Sequence, residues 1–114
     1  MSPGTRPILW VNAARKEIDA VPAGARLDCA MALTIAAAGA IAGVAKPMRG
    51  LGSGVFEIAL PCEGNAYRVV YAVQIAEEIR VVHAFQKKST QGIKTPKHEI
   101  DLIKYRLKRL KEMP

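Results

Sequence analysis

Apolar residues along this chain recur in two periods, and the two divide it into strands and helices. Residues 8–11 (ILWV) form a continuous apolar run that predicts a short buried strand. Asn12 is placed to cap a first helix over residues 13–20, which Val21-Pro22 ends. In residues 23–38, Leu27, Met31, Ile35 and Ala38 recur at four, four and three residues, which sets them on one face of a second helix. Small residues around that stripe suit close packing on a neighbour, and Gly39 and Gly43 end the helix. The stretch 46–54 (KPMRGLGSG) has loop composition. The period then drops to two. Residues 55–60 (VFEIAL), 66–74 (AYRVVYAVQ) and 79–85 (IRVVHAF) read as three strands, and the short turns between them predict an antiparallel meander. A last helix is expected over residues 97–113, with Thr95 as cap and Pro96 in the first turn. Ile100, Ile103, Leu107 and Leu110 form its apolar stripe, beside a basic row of Lys104, Lys108 and Lys111.

The order β-α-α-β-β-β-α predicts an α+β fold, a small antiparallel sheet with its helices packed on one face. At 114 residues, half of them hydrophobic, the chain has room for one domain spanning 1–114 and a real core. Residues 1–7, with Pro3, Gly4 and Pro7, are expected to fray.

Charge adds an asymmetry. The net charge is +7, but residues 1–65 carry six Lys/Arg against five acids, and residues 66–114 carry eleven against five. A solubilising surface is the plain explanation. So strong a bias toward one half also fits nucleic acid or an acidic protein partner. Cys29 and Cys62 are too far apart in sequence for a zinc or redox motif, which gives a reduced, cytosolic protein as the default. The 8–11 run is too short for a secretory signal, and the run from Cys29 to Ala45 is too rich in alanine and glycine to make a good membrane span.

The segment 83–100 (HAFQKKSTQGIKTPKHEI) concentrates the chemistry. It passes from strand end through a basic loop into a helix start, with Lys87 and Lys88 adjacent, then Lys94, Lys97 and His98. Arg68 interrupts an apolar strand. It either pairs with Glu57 on the neighbouring strand or grips a phosphate with its planar fork. Lys46 and Arg49 add cations before the meander. His83, between Val81 and Phe85 on one strand face, reads as a core residue rather than a catalyst, and two isolated histidines make no metal site. There is no phosphate loop, serine nucleophile motif or usefully spaced carboxylate pair. What remains fits RNA, whose 2′-hydroxyl attacks the adjacent phosphorus without metal or other cofactor once cations stabilise the charge. Plain RNA binding would use the same surface.

The segments GLGSGVFEI, YRVVYAV and VVHAFQKKSTQGIKTPKHEID resemble the RelE/HigB superfamily of toxins from type II toxin–antitoxin systems, and its phage-derived HigB-like branch most closely. The resemblance runs from about Ile8 to Leu110. It implies a small antiparallel sheet flanked by helices. It also implies a metal-independent mRNA endonuclease acting at the ribosome, neutralised by a cognate antitoxin that often carries a helix-turn-helix domain. On that resemblance Arg68 matches the phosphate-gripping arginine, and Lys87 and Lys88 fall at the next cationic catalytic position. Lys46 and Arg49 fall near the basic residues before the middle strands. The C-terminal tyrosine arrangement of the best-known members is missing, since Tyr105 lies inside the last helix. Two other readings stay open: a ParE-like toxin that inhibits DNA gyrase by protein contact, and a non-catalytic phage-derived RNA-binding protein.

Overall fold

The computed structural model describes residues 5–75, 77–87 and 95–112. The elements are β1 (Ile8–Trp10), α1 (Asn12–Ile18), α2 (Ala23–Ala37), β2 (Ala45–Pro47), β3 (Val55–Cys62), β4 (Asn65–Ile75), β5 (Glu78–Lys87) and α3 (Lys97–Glu112). The α+β class and the three-strand meander are as the periodicity predicts. The sheet, however, has five strands, in the order β1-β5-β4-β3-β2, and it is mixed. β1 runs parallel to β5, with Ile8 opposite Ile79. β2 is an edge strand that reaches two residues into the stretch expected to be loop, pairing Lys46 with Glu57 and Pro47 with Phe56. Three residues including a proline give no alternating pattern to read, and an edge tolerates the missing N–H.

The helices do not share one face. α2 and Ala14 of α1 cover one side of the sheet, against Ile58, Leu60, Val69 and Tyr71. α3 covers the other through Ile103 and Leu107, against Val55, Val70, Ala72, Val82 and Phe85. β4 carries the reason. Val69, Val70, Tyr71 and Ala72 are consecutive and all buried, so both faces of that strand need a cover.

α2 lies on the sheet through its small side. Ala25, Cys29, Ala32, Leu33, Ala36 and Ala37 are buried, whereas Leu27, Met31 and Ile35 face outward. The stripe of larger side chains is thus the exposed one, because alanines let the helix backbone approach the sheet closely. Leu33→Ala is expected to cost about 2–5 kcal/mol. Leu27→Gln, at 64% exposure, should stay within about 0.5 kcal/mol. Urea midpoints of the two variants check this.

Three local features bear on the site. Arg6 and Pro7 are tied down rather than frayed: Arg6 donates from its backbone to Ala37 and from its guanidinium to the Val73 carbonyl, and Pro7 accepts from Ile79. The Pro96 carbonyl receives the Glu99 and Ile100 N–H groups at the start of α3, and the Thr95 hydroxyl donates to Glu57. A register shift between Val70 and Tyr71, opposite His83 and Val81, inserts Val82 as an extra residue in β5. It puts Val81 in the α2-side core while Val82 and Phe85 enter the α3 side. His83 therefore shares its face with Phe85 but not with Val81. No helix among the described residues is long and apolar enough to cross a membrane.

Candidate functional site

Antiparallel pairing fixes which side chains meet. Glu57 lies opposite Val70, and Arg68 lies between Ala59 and Phe85. Lys87, at the end of β5, lies opposite Ala66. Directly opposed residues share a face, and so do alternate residues along one strand. Lys46, Glu57, Arg68, Phe85 and Lys87 consequently stand on the same side of the sheet, the side α3 covers in part. Arg68 and Lys87 are diagonal neighbours, roughly 7 Å apart at their β-carbons.

Within this cluster the Arg68 Nε is 3.7 Å from Glu57 Oε1, and each side chain is 19% exposed. The Arg68 guanidinium also donates to the Tyr67 carbonyl at 3.1 Å. The pairing that the strand pattern offered as Arg68's structural role is therefore present, though loose for a charge-assisted contact. Glu57 accepts a hydrogen bond from the Thr95 hydroxyl at 2.9 Å, which joins the chain just before α3 to β3. Lys87 is 6% exposed, an unusual position for an ammonium group. Lys46, on the edge strand, is exposed.

The other candidates lie elsewhere or outside the description. Arg49 is exposed in the turn that follows β2. Lys97 and His98 open α3 and face outward: Lys97 pairs with Asp101 at 2.9 Å, and His98 lies 3.4 Å from Glu99. Lys88 and Lys94 fall outside the described residues.

Beside the cluster is a second polar group that spacing alone gave no reason to assemble. His83 is 2% exposed. Its Nε2 is 2.6 Å from Glu99 Oε1, where the carboxylate oxygen accepts. Its Nδ1 is 2.8 Å from an Arg106 nitrogen and 3.2 Å from Glu17 Oε1. Arg106 grips both oxygens of Glu17, at 2.8 and 2.9 Å, and donates to the Val82 carbonyl at 2.9 Å. Burial pushes the Glu17 carboxyl up, but hydrogen bonds from His83, Arg106 and the Ala84 N–H outweigh it and hold the group at about 2. The network ties α1, β5 and α3 together, and it gives His83 the structural role that its strand position suggested.

Sequence spacing missed Glu57 as a site member and saw it only as Arg68's neighbour. The available signal was its position, a lone acid between Val55 and Ala59 on a strand face otherwise facing apolar residues. Glu17, Glu99 and Arg106 left no comparable trace, because their meeting depends on two helices crossing one strand.

A five-stranded mixed sheet with three helices, as found among the described residues, is consistent with a RelE-like fold. Residues 16–108 match the family model for phage-derived Gp49-like proteins (DUF891), so the chain belongs to that family, which lies within the RelE/HigB-like toxins of toxin–antitoxin systems. Neither the curated proteins nor the solved structures give a match. Membership implies a cognate antitoxin as partner.

Proposed function

We propose that this protein is the toxin of a toxin–antitoxin pair and cuts messenger RNA at the ribosome without a metal ion. The observation that carries the reading is the shared sheet face of Arg68, Lys87 and Glu57, joined to membership of a toxin family. In the proposed reaction the 2′-oxygen of one nucleotide attacks the adjacent phosphorus. The new O2′–P bond replaces the P–O5′ bond, leaving a cyclic phosphate and a free 5′-hydroxyl. Glu57 takes the 2′-proton. The Arg68 guanidinium turns from its loose contact with Glu57 to the non-bridging oxygens, and Lys87, with Lys88 next to it in sequence, neutralises the developing charge. The leaving 5′-oxygen takes its proton from an ammonium group or from water. Lys46, Arg49, Lys94, Lys97 and His98 would hold RNA outside the reacting centre.

Mapping 5′ ends of transcripts after brief induction tests the reading. Cuts are expected inside translated regions, and they should vanish when initiation is blocked. Growth arrest with intact RNA would overturn the reading in favour of a gyrase-directed toxin. Harmless expression without antitoxin would leave only RNA binding.

A further inference from the structure

α3 has a side that the proposed chemistry does not use. Lys104, Lys108 and Lys111 are all exposed there, spaced four and three residues apart. With the turn Gly50–Leu51–Gly52 they line a groove of about 390 Å³, in which Glu112 is the one carboxylate among the described residues. Gly50 and Gly52 hold positive φ, +82° and +91°, so the facing wall is bare backbone. The Lys111 Nζ reaches across to within 3.9 Å of where a β-carbon on Gly52 would stand. Arg49 is exposed next to Gly50 in the same turn.

We infer that this groove is a track for the sugar–phosphate backbone of RNA, separate from the cleavage cluster. The inference rests on RNA being the substrate and adds a second contact region. Helical rise puts Lys104 and Lys111 about 10.5 Å apart along the axis. Three ammonium groups over that length can each meet a phosphate of one strand. Thr95, two residues before α3, donates to Glu57 of the cleavage cluster, and Lys104 lies about 10.5 Å of rise beyond Lys97, the first residue of the helix. Lysine ammoniums are point charges that meet phosphates without reading bases. An acidic protein is the poorer fit. Protein interfaces are depleted in lysine and built around apolar or aromatic centres, whereas Leu51 and Leu107 here are buried in the core.

The test is binding of a short oligouridylate by fluorescence anisotropy across a salt series, in an Arg68→Ala background so that the Arg68 guanidinium adds nothing to the slope. Adding Lys104→Gln, Lys108→Gln and Lys111→Gln should weaken binding at least tenfold. It should also lower the slope of log affinity against log salt by about 2, since each single-strand phosphate contact contributes about 0.7. All three positions are exposed, so the melting temperature should not move. An unchanged slope and affinity would mark the row as a solvated face and sink the inference. Loss of antitoxin binding with oligouridylate binding intact would reassign the groove to a protein and also sink it. A reduced slope in a protein that cuts no message would keep the track and remove only the nuclease reading.

Discussion

Arg68→Ala should lower ribosome-dependent message cleavage by about 10² to 10³, the loss seen when one preorganised group that stabilises transition-state charge is removed. Arg68→Lys should recover only part of it. Lysine keeps the charge but loses the fork that holds two oxygens in one plane. Stability is expected to move little, because the ion pair to Glu57 is long, at 3.7 Å, and both groups retain contact with water. Single-turnover cleavage on programmed ribosomes, read beside thermal melts, separates the two effects. A folded Arg68→Ala protein that cuts at the parental rate would remove Arg68 from the chemistry. Glu57→Gln serves as the companion. If Glu57 takes the 2′-proton, the amide should cut slowly at every pH, whereas a purely structural Glu57 would give a normal rate in the fraction that folds.

The second large effect belongs to the buried network. Arg106→Ala should destabilise the fold by on the order of 3 kcal/mol, because it leaves Glu17 facing a buried histidine with no guanidinium and strips the Val82 carbonyl of a donor. Acid should act through the same group. The folded-state Glu17 titrates at about 2 against an ordinary 4.5, so the unfolded chain binds this proton first as pH falls. The stabilisation is complete above about 4.5 and is lost as pH drops toward 2. Urea unfolding of the parent and of Glu17→Gln through that window checks the sign. The gap between their stabilities should shrink steadily toward low pH, and a constant gap would show that Glu17 is not the titrating group.

The elements themselves were legible in one dimension. The meander follows from alternation in residues 55–85, and α3 from the spacing of Ile100, Ile103, Leu107 and Leu110, of which Ile103 and Leu107 reach the core. α2 was legible as a helix but not in its orientation. Its largest apolar side chains point to solvent, and alanine against leucine is a contest that hydrophobicity alone decides wrongly when a flat sheet rewards close approach. β2 was too short to carry a period. The bulge at Val82 left no mark that distinguishes one apolar β-branched residue from the next, although it moves Val81 and His83 onto different faces.

By itself, then, the sequence determined the α+β class, the order of its main elements and the presence of a cationic strand end, because these depend on local period and composition. The five-stranded mixed sheet, the covering of both its faces, the meeting of Arg68, Glu57 and Lys87, and the Glu17–His83–Arg106 network were decided only in three dimensions. Each arises where residues far apart in the chain compete for the same buried space. Strand register and packing settle that competition, and neither is written in the spacing of a single segment.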